Sequence, residues 1–166
     1  MNGEFRNESE SCMQELKRIE NWIQINAFHE NVRYLIFYSI VRACGFIETN
    51  IKNLIFEYIS KDCKNETKKF LEKYTIKKST NPRPEYIIEL LGNLSDEWKN
   101  QFIKITKHSN DIVNLSSLVS LRNGFSHGNC SVLCSISNVI CYFESGINII
   151  NIVDSILNNS TSEVQK

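Results

Sequence analysis

The chain of 166 residues has little that would interrupt a helix, since it contains only two prolines and six glycines. Strict alternation of apolar and polar residues, which is typical of a half-buried strand, is almost absent as well. Apolar residues recur instead at helical spacing along most of the chain. The sequence therefore predicts an all-α fold, an antiparallel bundle of about five to six helices joined by a few loops.

An excess of charge of one sign is also missing, because 19 Lys and Arg residues balance 19 Asp and Glu residues. Proteins that coat duplex nucleic acid or an anionic membrane draw much of their affinity from a cationic excess. The neutral net charge therefore excludes coating of this kind, and any contact with nucleic acid or a membrane has to be made through a local patch. The stretch 61–85 is locally basic, and it is either an RNA-backbone contact or, as its composition favours, an ordinary solvated face.

Long apolar runs are missing too, so no membrane-spanning segment is expected. The N-terminal residues show no apolar signal segment, and the six cysteines are expected to be free thiols of a cytoplasmic protein. A metal site built from His127, Cys130, Cys134 and Cys141 is an alternative, because the three cysteines would share a helical face. It lacks the C-x2-C spacing of zinc sites, and neither a metal nor another cofactor is expected.

Hydrophobic periodicity predicts one domain over residues 1–157, followed by a polar tail at 158–166. The predicted helices cover about residues 9–25, 29–60, 95–105, 111–125 and 136–153. On the long helix, Phe37, Phe56 and Tyr58 are expected to be exposed and to leave room for an interaction surface.

The connections between these helices are less regular. The segment 77–84 carries both prolines and is predicted to be an exposed loop. Either Asn93 or Ser95 can cap the helix that follows it. The segment after Gly128 fits a buried helix or a strand, with helix favoured, and Gly146 could interrupt the last helix.

Arg122 lies on the apolar stripe of the predicted helix 111–125, so its guanidinium is expected to face the interior or a cleft. His127 follows five residues later, beside Gly124 and Gly128, where the backbone can turn the imidazole toward the guanidinium. An arginine fork binds a phosphodiester and stabilises its developing charge, while an imidazole transfers a proton near neutral pH. The pair therefore suits phosphate chemistry without a metal.

Arg122 and His127 also have an ordinary structural interpretation. A basic side chain near a helix C-terminus meets free carbonyls, and Gly128 can end the turn. Taken on pattern alone, this interpretation is the more common one, because a short motif is a hypothesis until its structural context is known.

The segment 121–128, with Arg-Asn-x-x-Ser-His-Gly inside it, resembles the R-x4-H motif of the HEPN domain family. A second resemblance covers residues 39–58, which look like the long helix on which stand-alone HEPN proteins place an acidic residue facing that motif. The two segments stand in the family's helix order. Together with an all-helical chain of this length, they favour the family over a chance match.

The resemblance implies a metal-independent endoribonuclease that acts as a toxin or antiviral effector. Such enzymes cut RNA by attack of the ribose 2′-hydroxyl, leaving a 2′,3′-cyclic phosphate and a 5′-hydroxyl. By the same resemblance, His127 transfers protons, Arg122 binds phosphate, Asn123 gives polar support and Ser126 is a weaker candidate for that support. It also implies a homodimer whose motifs meet in one cleft, and an antitoxin or regulatory partner. The alternative is a catalytically silent module that binds RNA or a protein.

Glu48 is a candidate on separate grounds. It lies inside the apolar stripe of the long helix, where an unpaired carboxylate is costly to bury. A partner is therefore expected. Arg122 or His127 would make Glu48 part of the catalytic site, whereas Lys52, one helical turn away, would make it an ordinary ion pair, and both remain open.

Overall fold

The computed structural model describes residues 3–77, 80–127 and 134–159. Within these ranges the chain forms seven α-helices and no strand, which confirms the all-α prediction. The helices are α1 (Gly3–Ile25), α2 (Val32–Ser60), α3 (Asn65–Thr75), α4 (Pro84–Gly92), α5 (Asp96–Thr106), α6 (Asn110–Ser126) and α7 (Ile136–Asn159). The two short helices α3 and α4 bring the number above the predicted five to six.

The centre of the bundle is the packing of α2 against α7 and α6, and α7 also contacts α1 and α5. The large side chains at this centre are fully buried: Ile40, Ile47, Ile51, Leu115, Leu118, Phe143, Ile149, Ile150 and Val153. Each such side chain stabilises the fold by about 1.5–3 kcal/mol relative to an exposed position. The helical stripes that predicted α2 and α6 are thus the stripes that form the core.

α7 is long and apolar enough, by length and composition alone, to cross a membrane. This finding differs from the expectation that the chain contains no segment long and apolar enough to span a membrane. In the bundle, 44% of its apolar window is buried, because α7 packs against four other helices. A central helix of a folded core passes the same test of length and composition.

α2 and α7 lie close together at Gly146. A Cβ atom added to this glycine would lie 2.1 Å from Cδ1 of Ile47, so only a glycine lets the two helices approach in this way. α7 continues through Gly146 without interruption, so the interruption that the sequence allowed at this glycine does not occur. The glycine serves helix packing and does not end the helix.

The segment between α3 and α4 differs from the exposed loop predicted from its prolines. Pro82 and Pro84 are buried, and Thr80 and Asn81 are half-buried. Pro84 is the first residue of α4, where a missing N–H costs nothing. The proline rings provide apolar surface that packs on the bundle, and we refer to residues 80–83 as the α3–α4 loop.

Two helix caps follow from side chains in the connections. Ser95, and not Asn93, caps α5 by accepting a hydrogen bond from the backbone N–H of Trp98 at 3.4 Å. Ser109 caps α6 through the backbone N–H of Asp111 at 3.0 Å. The segment after Gly128 is helical from the start of α7 onward, while residues 128–133 and the tail from 160 lie outside the described residues.

Exposed apolar side chains occur on α1, on the turn after it and on the first half of α2. They form what we call the apolar face: Trp22, Ile25, Phe28, Tyr34, Tyr38 and Val41. The aromatics expected on the surface are elsewhere. Phe37 is buried and stacks on Phe125 with a ring-centroid distance of 4.2 Å, and Phe56 and Tyr58 are half-buried. Periodicity finds the helix but does not show which edge of its stripe a neighbour covers.

Gly146→Ala is expected to destabilise the fold by about 1–3 kcal/mol, because the new methyl group overlaps the Ile47 side chain. Gly45→Ala is the matched control, since nothing lies within 4 Å of a Cβ at that exposed helical position. It should stabilise α2 by about 0.5–1 kcal/mol. Urea unfolding of both variants checks the pair, and equal stabilities would contradict the close packing at Gly146.

Candidate active site

α6 carries the R-x4-H residues at its C-terminal end. Arg122 and Asn123 are half-buried, on a helix whose Leu118 and Val119 are in the core. His127 follows the last helical residue, and its backbone N–H donates to the carbonyl of Asn123 at 3.1 Å. The imidazole is exposed. The two residues that the sequence pairs therefore lie in different environments, one toward the bundle and one toward solvent.

Two asparagine side chains hold the guanidinium of Arg122. Nη1 donates to Oδ1 of Asn81 at 2.6 Å and, at 3.4 Å, to Oδ1 of the neighbouring Asn123. Nδ2 of Asn81 donates in turn to Oδ1 of Asn123 at 2.9 Å. The three side chains thus form a closed hydrogen-bonded group that joins the α3–α4 loop to α6.

The charge of Arg122 is not neutralised within this group. Both of its partners are neutral amides, and no carboxylate in the described part of the chain lies within ion-pair distance of the guanidinium. An arginine bound to a carboxylate would have to exchange that partner for a phosphate. An arginine oriented by amides keeps its full charge for an anion.

Glu48 pairs with Lys52 and not with Arg122 or His127, the partners that would place it in the catalytic site. Its Oε1 accepts from Nζ of Lys52 at 2.5 Å and from the backbone N–H of Thr80 at 3.0 Å. The side chain of Lys52 is only 6% exposed and that of Glu48 20%. Of the two alternatives for Glu48, the structure therefore shows the pair with Lys52.

Cys44 is a buried residue of α2 that lies near both Glu48 and Arg122. Its Sγ donates to the carbonyl of Leu118 at 3.7 Å, which joins α2 to α6. Burial raises the pKa of the Cys44 thiol to about 12, opposed by the positive charge of Arg122 and assisted by the negative charge of Glu48. The thiol is therefore protonated and unreactive at neutral pH. Both charged groups lie around Cys44, but they do not contact each other.

The remaining motif residues are not gathered around the guanidinium. No hydrogen bond or ion pair between described residues joins the imidazole of His127 to Arg122. The hydroxyl of Ser126 donates to the backbone carbonyl of Arg122 at 2.9 Å, which is a local bond within the helix. Gly124 lies within α6 and does not bend it, while Gly128 is outside the described residues.

Asn81 is the residue of this region that the sequence analysis missed. It lies 41 residues before Arg122, and no local pattern connects the two. The available signal is the Asn-Pro step, because a following proline holds Asn81 in an extended backbone. That signal shows a restrained backbone, but it does not show which side chain the asparagine meets.

The alternative metal site cannot be assembled from the described residues. Cys130 lies outside them, Cys134 is half-buried, and Cys141 is exposed on α7. In ranges 3–77, 80–127 and 134–159 no group of three or more His, Cys, Asp and Glu side chains could hold a metal ion.

Glu48→Ala is expected to destabilise the protein by about 2 kcal/mol, because it leaves the buried Lys52 without its carboxylate and the Thr80 N–H without its acceptor. Glu57→Ala on the exposed side of α2 is the control and should change stability by less than about 0.5 kcal/mol. Chemical denaturation measures both. Equal effects of the two substitutions would contradict a structural role for Glu48.

The chain matches a known protein family over most of its length. No curated protein and no solved structure matches the chain. A family model described as RiboL-PSP-HEPN matches residues 7–159, a range that includes Glu48, the α3–α4 loop and the whole R-x4-H segment. The resemblance first drawn from the motif is thereby confirmed. The chain belongs to the RiboL-PSP-HEPN family.

Proposed function

We propose that this protein is a metal-independent endoribonuclease that cleaves RNA by attack of the ribose 2′-hydroxyl. Family membership supports an RNA-related function, and HEPN proteins often carry RNase activity. The observation that carries the proposal of RNA cleavage is the environment of Arg122. Its guanidinium is half-buried, neutral amides hold it, and an exposed histidine follows a few residues later.

Arg122 would bind the scissile phosphodiester. Attack of the 2′-oxygen on phosphorus adds negative charge to the phosphoryl oxygens in the transition state, and the P–O5′ bond then breaks. A fixed cation beside those oxygens stabilises the added charge without having to reorganise. Asn123, which shares the hydrogen-bonded group with Arg122, supports its orientation.

His127 would transfer a proton in this reaction. The 2′-hydroxyl must lose a proton as it attacks, and the 5′-oxygen must gain one as it leaves. An exposed imidazole suits one of these transfers, because histidine exchanges protons near neutral pH.

We also propose that the active form is a homodimer. The apolar face defined above supports this, because six large apolar side chains are exposed on α1, the turn after it and the first half of α2, and exposed apolar surface is a feature of interaction sites. Tyr34, Tyr38 and Val41 lie on the half of α2 whose Phe37 stacks on Phe125 near the end of α6. We propose that a second copy docks on this face and that the two R-x4-H motifs meet in one cleft, as the family resemblance implies.

The biological role that we propose is that of a cytoplasmic toxin or antiviral effector held in check by an antitoxin or another regulatory protein. This role comes from the family resemblance. The neutral net charge is compatible with it, because an enzyme that cuts RNA needs a local cationic site and not a cationic surface.

The test is cleavage of a structured RNA with single-stranded loops by the purified protein in excess EDTA. Wild type should cut it and leave 2′,3′-cyclic phosphate ends. Arg122→Ala should lower kcat/KM about 10²–10³-fold, and His127→Ala about 10²–10⁴-fold. Arg6→Ala and His108→Ala, which remove an exposed residue of the same type elsewhere, should leave cleavage unchanged.

Two outcomes would overturn this proposal. Loss of activity on chelation would exclude the metal-independent mechanism. Folded wild type that binds the RNA without cutting it would instead support a silent RNA-binding module.

A further inference from the structure

We propose that Asn81 is the positioning residue for Arg122, and that Glu48 acts on the same arginine by holding the loop that carries Asn81. The proposal deepens the function above and rests on Arg122 being the phosphate-binding group. It assigns Glu48 a role in the site through contacts other than a direct pair with Arg122 or His127, which was one of the two alternatives that the sequence left open.

The hydrogen bonds of Arg122 leave one edge of its guanidinium available. Its side-chain contacts with described residues all use Nη1, which donates to Asn81 and Asn123. Nε and Nη2 form the other edge, whose parallel N–H groups match two oxygens of a phosphate. Asn81 thus holds the guanidinium from the side away from the edge that binds an anion.

The backbone that carries Asn81 is itself restrained. The N–H of Thr80 donates to Glu48 at 3.0 Å, and Pro82 and Pro84 are buried against the bundle. A side chain on a restrained backbone positions its partner with little loss of conformational freedom on binding. The connection from Glu48 to Arg122 therefore runs through Thr80 and Asn81.

The residue type at position 81 matters because an amide orients an arginine without neutralising it. Aspartate would keep the oxygen that accepts from Nη1 and would add a negative charge beside it. Its second oxygen would replace the Nδ2 that donates to Asn123, and it would accept from the Asn123 amide once that amide turned over. The resulting ion pair would hold Arg122 at least as firmly but would compete with phosphate. Protein stability and RNA affinity should therefore change in opposite directions when Asn81 becomes aspartate.

The experiment measures binding of a fluorescent single-stranded 2′-O-methyl RNA, which cannot be cleaved by 2′-hydroxyl attack, together with thermal unfolding of each variant. Asn81→Ala should weaken RNA affinity about tenfold, and should have no further effect when Arg122→Ala is already present, because the two residues act as one unit.

Asn81→Asp should weaken binding at least as much while its Tm stays at or above that of wild type. Asn100→Ala, an exposed asparagine on α5, is the control and should leave both measurements unchanged.

A second pair of variants tests Glu48. Glu48→Gln keeps an oxygen that can accept from the Thr80 N–H and should retain at least half of the wild-type RNA affinity. Glu48→Ala removes that acceptor and should weaken binding in wild type but not in the Arg122→Ala background. If Glu48 instead acted through its charge on the RNA or on Arg122, glutamine would fail as completely as alanine.

The outcomes separate this proposal from the proposed function. If Asn81→Ala weakens binding equally with and without Arg122, or if Asn81→Asp binds as wild type does, the positioning role is overturned while cleavage by wild type can still stand. If wild type does not cleave RNA but the Asn81–Arg122 coupling is present, the positioning role holds and the nuclease proposal falls. If Arg122→Ala leaves RNA affinity unchanged, both are overturned.

Discussion

The negative charge of a partly buried carboxylate has to be balanced by a nearby positive charge and by hydrogen-bond donors. In this bundle, the groups that balance Glu48 fix the position of the α3–α4 loop. Lys52 supplies the charge and the backbone N–H of Thr80 supplies a second hydrogen bond. Each of these three groups would be costly to bury alone. The loop is consequently fixed to α2 at Thr80, and its next residue, Asn81, reaches Arg122 on α6.

The helices could be predicted from the sequence because their core residues recur at a local period. The α3–α4 loop could not, because prolines in an exposed turn and prolines packed on a bundle have the same sequence signal. Arg122 could be singled out by its place on an apolar stripe. Asn81 and Lys52 could not, because the first depends on a contact across 41 residues and the second on how the core accommodates an amine.

The distribution of charge explains how a neutral chain can hold a cationic site. Two half-buried acids have cations of their own nearby: Glu48 pairs with Lys52, and Glu15 pairs with Arg42 at 3.1 Å and accepts from Tyr38. The hydrogen bond from Tyr38, together with Arg42, lowers the pKa of Glu15, although burial opposes the shift. These acids are therefore already satisfied, and the positive charge of Arg122 remains available.

The position of α7 in the chain has a consequence for synthesis. α6, which carries Arg122, packs mainly on α7 and α2, and α7 is translated after all the other helices. Until α7 leaves the ribosome, α6 has its contacts with α2 but lacks the helix against which most of its packing is made. The end of α6 that carries Arg122 therefore reaches its full packing only after α7 has been synthesised.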